Sequence, residues 1–243
     1  MAPFPGETPI APPRFGSPDV LRRFGQSLKY RLLMVTFRST GRLMARLAAT
    51  LFMTLDGVVE SPEKWSFPYW NDEIGKFKFE ETFASDALLL GRVTYEGFAA
   101  AWPGRKDPEG FADRFNSLPK YVASRTLKTL SWNNSHLLKG DLTEEISKLK
   151  RRAGQDIVIH GSPGLIRSLM PLDLIDEYRI LVYPLILGSG KRLFDEASQA
   201  KFKLVESEAF ATGVVKLVYR RADEPAKAVP RPTRSRGKGQ TKK

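Results

Sequence analysis

Cysteine is absent from the 243 residues, and histidine occurs only twice, as His136 and His160. The absence of thiols excludes disulfides, thiolate chemistry and cysteine-ligated metals, and with only two histidines we predict no metal site. The sequence also has no run of 18 apolar residues, so it contains no candidate membrane-spanning helix. We therefore expect a cytoplasmic protein that binds neither a membrane nor a metal.

The net charge of +12 is concentrated at the two ends of the chain. Residues 1–44 carry seven basic and two acidic groups, and residues 223–243 carry the same numbers. The span between them is nearly balanced, with 25 basic and 23 acidic groups. Weak binding of nucleic acid or an anionic surface by the tails is one interpretation, and solubilisation is the commoner role of such segments.

Composition divides the chain into three parts. Residues 1–43 begin proline-rich and continue as a basic amphipathic segment, which is typical of a targeting or membrane-surface helix. Because Met44 stands directly before the first strong strand, an upstream extension of the reading frame is the simpler interpretation. Residues 44–222 have regular hydrophobic periodicity and form the predicted folded domain, whereas residues 223–243 are predicted to be disordered.

Strands and helices alternate through the predicted domain. Asn71 is a candidate N-cap for a helix that follows it, and Thr143 is a candidate cap for another. The alternation predicts an α/β fold with a mostly parallel central sheet flanked by helices, and the last two strands add an antiparallel hairpin. The predicted strands are 45–53, 86–90, 119–124, 155–161, 174–184, 201–210 and 214–221, and the predicted helices are 71–84, 92–102, 109–116, 141–154 and a short one after 162.

Three predicted strands end in turns that suit an anion. Glycine allows close approach of the backbone, a helix start supplies N–H groups, and arginine offers a permanently charged fork for phosphate oxygens. Together, at the carboxyl ends of parallel strands, these turns favour a polyanionic ligand such as a dinucleotide, although no G-x-G-x-x-G follows the first strand. The turns are Gly91-Arg92 with Thr94, Ser124-Arg125, and Gly161-Ser162-Pro163-Gly164.

These motifs occur in the order found in the dihydrofolate reductase fold. The segments "LLLGRVTYEGF", "YVASR" and "IVIHGSPGLIRSL" carry the resemblance, and "MTLDG" and "LIDEYRILVYPLILGSGKRLF" add to it. Over residues 45–221 the chain resembles stand-alone relatives of the C-terminal reductase domain of the riboflavin-biosynthesis deaminase-reductase. The resemblance implies a cytoplasmic, bacterial-type oxidoreductase that uses NADPH on a small-molecule substrate, and we expect it to be a homodimer.

The resemblance also implies roles for the turn residues. Arg92, Ser124 and Arg125 would hold the 2′-phosphate of NADPH, which explains a preference for NADP over NAD. Thr94 and its helix start would face the pyrophosphate. The opposite side of the pyrophosphate would be wrapped by Gly161, Ser162 and Gly164, with Gly91 and Leu165 nearby.

The substrate side has several candidates. Asp56, in the turn after the first strand, is the predicted proton relay or ligand anchor, and a plain turn residue is the alternative. Asp72 and Glu73 start the helix that bears an acidic pterin-binding residue in dihydrofolate reductases, and favourable charge at a helix start is the alternative. An aromatic group could sandwich a flat heterocycle or form a hydrophobic cluster: Trp65, Phe67, Tyr69 and Trp70. Tyr183 and the loop after it could close the site or contact a second copy.

The substrate is predicted as a pterin, folate or pyrimidine. His160-Gly161-Ser162 replaces the Glu-Gly-Gly of riboflavin-pathway reductases, and Val58 replaces a basic residue, so this chain departs from that pathway's pattern. Two alternatives to a reductase are a nucleic-acid or anionic-surface binding protein acting through its tails, and a cofactor-binding module without catalysis.

Overall fold

The computed structural model describes residues 44–152, 154–194 and 199–222. The proline-rich and basic N-terminal segment and the basic C-terminal tail lie outside the described residues. The strands are β1 (Leu47–Thr54), β2 (Ser85–Gly91), β3 (Lys120–Ala123), β4 (Ser135–Leu137), β5 (Asp156–His160), β6 (Glu177–Tyr183), β7 (Phe202–Ala209) and β8 (Val215–Arg221). The α-helices are α1 (Asp72–Phe83), α2 (Arg92–Ala101), α3 (Phe111–Ser117), α4 (Leu142–Arg152) and α5 (Pro163–Leu169).

One eight-stranded sheet forms the centre of the fold, with the strand order β4-β3-β2-β5-β1-β6-β8-β7. The first six strands in this order are parallel, whereas β8 runs antiparallel to β6 and β7 antiparallel to β8. The predicted α/β class, the mostly parallel sheet and the antiparallel C-terminal hairpin are therefore confirmed. The short strand β4 was absent from the sequence prediction.

Helices cover both faces of the sheet, which explains why its central strands are continuous apolar runs. On one face, α2 and α3 pack around Leu88 and Leu90 of β2, and α1 packs beside them around Leu181 of β6. On the other face, α4 and α5 pack against the opposite side of the same strands.

Side-chain caps fix where two of the helices begin. The Asn71 side chain accepts a hydrogen bond from the backbone N of Ile74 at 3.0 Å, so the predicted cap of α1 is confirmed. The predicted Thr143 cap of α4 is wrong. Asp141 accepts from the backbone N of Glu144 at 3.0 Å, and Thr143 already lies inside the helix. A cap must precede the first helical residue, and Asp141 holds that position.

A buried polar cluster lies between α1 and the sheet. The Lys78 ammonium donates to Thr50 Oγ1 at 3.0 Å and pairs with Glu81 one helical turn later. Glu81 also pairs with Arg179 at 3.3 Å. Burial alone would raise the pKa of Glu81, but the positive charges of Lys78 and Arg179 outweigh that effect and lower it. Glu81 therefore stays ionised inside the domain.

The cluster continues as ion pairs towards the amino-terminal edge of the sheet. Arg179 pairs with Asp156 and, at 2.8 Å, with Glu177. Half-exposed Arg46 bridges the same two carboxylates at 3.0 and 3.2 Å. Buried charges are tolerated when each has a partner, and these ion pairs give each of these charged groups a partner, from the interior to the surface.

Both ends of the described domain lie at this amino-terminal edge. Leu47 begins β1 there, and β8 runs back to the same edge because it is antiparallel to β6, with Arg220 opposite Glu177. Within the described ranges, no helix combines the length and apolarity needed to cross a membrane.

Candidate functional site

The sheet order places the predicted turns side by side. Strands β3, β2, β5 and β1 are consecutive neighbours and parallel, so their carboxyl ends share one edge. From one side to the other, this edge carries Ser124-Arg125, Gly91-Arg92, Gly161-Ser162 and Asp56. Residues up to 106 positions apart in sequence thus form one continuous row, as expected of a ligand site in an open α/β sheet.

A direct hydrogen bond joins two of these turns. The backbone N of Gly91 donates to Ser162 Oγ at 3.0 Å. The turn that brings Ser162 there uses two consecutive left-handed residues, Gly161 with φ 55° and Ser162 with φ 56°. A non-glycine residue in this conformation is strained, and the Gly91 bond together with burial of the side chain helps to hold Ser162 in place.

The start of α2 lies beside this junction. Its N-cap is Gly91, which offers no capping side chain, so the cap position leaves the first N–H groups of the helix without the usual side-chain acceptor. Arg92 is exposed, and its Nη1 donates to Glu96 Oε2 at 2.9 Å. Among the described residues, the anion paired with Arg92 is therefore Glu96. Thr94 is half-buried in the same first turn.

The other predicted cofactor residues flank the junction. The Ser124 hydroxyl accepts from the backbone N of Thr126 at 3.2 Å and of Leu127 at 3.0 Å, which shapes the turn that exposes Arg125. On the β5 side, no described residue outside the local backbone lies within 4 Å of the positions that a Cβ would take at Gly161 or Gly164. Leu165 is buried in the core beneath the turn.

The Asp56 carboxylate contacts residues of its own turn and of the loop after β6. It accepts from Thr54 Oγ1 at 2.6 Å, from the Leu187 N at 3.3 Å and from the Gly188 N at 2.9 Å. Arg192 Nη2 lies 3.6 Å from Oδ2. The Thr54 hydroxyl is the main cause that lowers the pKa of Asp56, and the Gly188 and Leu187 amides add to it against a partial opposing effect of burial. The predicted proton role of Asp56 stays a prediction.

Three of the four predicted aromatic side chains, those of Trp65, Tyr69 and Trp70, pack around the fully buried Tyr183, whereas Phe67 is exposed. Trp65 and Tyr69 pack edge-on against the Tyr183 ring at centroid distances of 5.3 and 5.8 Å, and Trp70 packs at the margin. Trp65 Nε1 donates to the backbone O of Glu60 at 2.9 Å. The aromatic side chains thus form a hydrophobic cluster, and Tyr183 lies in the core rather than at a contact surface.

The acidic candidates at the start of α1 are exposed. Asp72 occupies the first position of the helix, where a negative charge is favourable. Glu73 accepts from the Asn71 side chain and from the Ala211 backbone N, each at 2.7 Å. Glu73 therefore ties α1 to the β7–β8 turn.

A small cavity opens at the same edge. It has a volume of about 20 Å³ and lies between β1, the turn after β1 and the turn after β5. A water molecule fits in such a space, whereas a pterin or pyrimidine ring does not. The lining residues are Leu51, Phe52, Val59, Pro62, Gly161 and Pro163.

His160, directly before the Gly161 turn, is a buried group whose environment the sequence did not reveal. It is flanked by the rings of Phe98 and Phe115, and its Nε2 has no hydrogen-bond partner among the described residues. Burial lowers the pKa of His160 to about 3, Lys78 adds to the shift, and Glu81 opposes it. His160 is therefore neutral at ordinary pH. In the described part of the chain, no three histidine, cysteine, aspartate or glutamate side chains are grouped so that they could hold a metal ion.

Comparison with known proteins places this geometry in a family. The RibD C-terminal domain family matches residues 45–216. The protein YyaP of Bacillus subtilis (strain 168), described as uncharacterized, is 31% identical over 179 residues, which cover 72% of this chain and 94% of YyaP.

Solved structures share the fold. A proposed riboflavin biosynthesis protein from Shewanella sp. PV-4 superposes with a TM-score of 0.61 at 23% identity, over 73% of this chain and 99% of its own. Dihydrofolate reductase from Enterococcus faecalis, complexed with NADP(H) and RAB-propyl, gives 0.50 at 18% identity, over 73% and 97%. The chain belongs to the RibD C-terminal domain family and has its dihydrofolate-reductase-like, reductase-type fold.

Proposed function

We propose that the protein is an NADPH-dependent reductase of a small planar heterocycle of the pterin, folate or pyrimidine type. The observation that carries the proposal is the hydrogen bond from Gly91 to Ser162, which joins two glycine turns at the carboxyl edge. The uncapped start of α2 adjoins them, and the surfaces at Gly161 and Gly164 are open. Backbone N–H groups and open glycine surface fit a dinucleotide pyrophosphate.

Arg125, Arg92 and Ser124 are the proposed contacts of the 2′-phosphate. Arg125 is exposed, and it has no ion pair among the described residues. For Arg92, the phosphate would replace Glu96. That exchange costs little because the two side chains of the pair are 47% and 46% exposed, and exposed pairs contribute at most about 1 kcal/mol.

The bound dihydronicotinamide would supply the hydride. The chain's own contribution would be to orient the two rings and exclude water at the wall formed by Phe52, Val59 and Pro163. Trp65, Tyr69, Trp70 and Asp72 remain the proposed substrate contacts. Because the cavity is too small for a pterin or pyrimidine ring, substrate binding in this proposal requires the residues that line it to move apart.

The cofactor half of the proposal is tested by binding. Thermal stabilisation by NADPH and NADH would be compared for the wild type, Arg125→Ala and a control, Arg151→Ala, which removes an exposed cation at the end of α4. Loss of a charge-assisted contact should weaken NADPH binding about tenfold or more and leave NADH binding unchanged. Equal losses for both cofactors would show that Arg125 does not contact the 2′-phosphate.

The catalytic half is tested by turnover. Pterins, folates, pyrimidines and flavins would be screened for oxidation of NADPH by the full-length protein. Oxidation with one class identifies the substrate, whereas tight binding without turnover favours a cofactor-binding module. The predicted homodimer stays a prediction.

A further inference from the structure

The loop after β6 lies along the turn after β1 and is bonded to it at both ends. We call residues 184–194 the β6 loop and residues 54–60 the β1 turn. At one end the Leu55 N donates to the Leu185 O at 2.9 Å. At the other, the Val59 N donates to the Lys191 O at 2.9 Å, and the Leu193 N donates to the Gly57 O at 3.0 Å.

Gly190 allows this close apposition. Its φ of 122° is a conformation that side chains disfavour, and a Cβ at this position would lie 2.7 Å from Cγ1 of Val58. Val58 is fully buried beneath the loop. A glycine is therefore required where the two segments cross.

Between these backbone contacts, Asp56 and Arg192 form the polar centre of the junction. Asp56 accepts the Leu187 and Gly188 amides of the β6 loop, and Arg192 Nε donates to the Asp56 backbone O at 2.8 Å. The Thr54 hydroxyl and the two amides favour the ionised carboxylate, and together they lower the pKa of Asp56, with Thr54 as the main cause. A proton donor needs the opposite shift, towards the working pH.

The β1 turn forms one wall of the cavity. Val59 lines it opposite Gly161 and Pro163, and the turn continues into Pro62, which lines it as well. Any force that holds the turn therefore holds the wall against which the substrate would be placed.

We propose that Asp56 is a positioning residue that, with Arg192, fixes the cavity wall by tying the β1 turn to the β6 loop. The proposal rests on the proposed reductase function for its effect on turnover, but the tie itself is independent of it. The proton for the reduced substrate then comes from a group other than Asp56.

Hydrogen exchange of the full-length protein, without any ligand, tests whether Asp56 holds the β6 loop against the β1 turn. In Asp56→Asn, the amides of Leu187 and Gly188 should exchange about tenfold faster or more, because they lose a charged acceptor. Arg192→Met should also speed exchange of these amides. Because the two side chains act on the same contact, the increase in exchange rate in the double variant should be smaller than the product of the two single increases. The matched control is Asp113→Asn, an exposed aspartate that lies 3.6 Å from Lys106, and it should leave these amides unchanged.

Turnover separates positioning from proton transfer. Asp56→Asn and Arg192→Met should both lower turnover about tenfold to a hundredfold, keep NADPH affinity and keep the shape of the wild-type pH profile. The proposal is overturned if the Leu187 and Gly188 amides exchange at the wild-type rate in Asp56→Asn. It is also overturned if Asp56→Asn changes the pH profile of turnover while Arg192→Met keeps wild-type turnover. Absence of turnover in the wild type would refute the reductase function alone, since exchange would still decide whether Asp56 ties the two segments.

Discussion

Acid should destabilise the domain through His160. The imidazole is 7% exposed and lies between two phenylalanine rings, and its Nε2 has no partner among the described residues. Its pKa is lowered to about 3, first by burial and then by Lys78. In the unfolded chain the pKa is about 6.5. Between these two values the unfolded state binds more protons than the folded state, so stability falls as the pH falls.

The expected size follows from the two pKa values. Each pH unit below about 6.5 costs about 1.4 kcal/mol, so the stability contributed by neutral His160 drops by about 2 kcal/mol between pH 7.5 and pH 5. Near pH 3 the cumulative loss reaches about 4 kcal/mol. Above pH 7 the contribution is constant because both states are neutral.

His160→Leu removes the titrating group while keeping an apolar side chain of similar volume between the rings. Urea unfolding followed by tryptophan fluorescence would give the free energy of unfolding of both proteins at pH 7.5 and pH 5. The wild type should lose about 2 kcal/mol more than the variant over this interval. An equal pH dependence in the two proteins would refute the reasoning.

Two further predictions concern the buried cluster and the domain boundary. Glu81→Gln leaves Lys78 and Arg179 without their shared carboxylate and should lower the free energy of unfolding in urea by about 3–5 kcal/mol. The double variant Lys78→Met with Glu81→Leu should recover most of that loss. No recovery would mean that the ion pair itself stabilises the fold. A fragment of residues 44–222 should unfold cooperatively and keep the NADPH affinity of the full chain, and an unfolded fragment would show that the N-terminal segment belongs to the core.

The strand-end turns could be predicted because each carries its own local signal. Gly91-Arg92, Ser124-Arg125 and Gly161-Ser162 all follow a short apolar run, and parallel pairing then brings such ends to one edge. The Asn71 cap was equally local. Strand β4 was missed because three residues, SHL, have no periodicity, and its position is decided by pairing with β3.

The polar interior could not be predicted in this way. Lys78 and Glu81 look like the solvent face of a helix, and their partner Arg179 is 98 residues from Glu81. The left-handed conformation of Ser162 could not be predicted from the sequence either, because serine does not prefer this conformation. Asp56 was predicted as a proton carrier because the sequence shows its position after the first strand. Its contacts with the β6 loop could not be predicted, because that loop is more than 130 residues away in sequence.

The placement of both domain ends at the amino-terminal edge has a practical consequence. A fluorophore, affinity tag or solid support joined before Leu47 or after Arg221 would be attached at the edge opposite the glycine turns and the cavity. Ligands of the proposed site could then reach an immobilised protein from the opposite edge, and a fused partner domain could be exchanged without obstructing that edge.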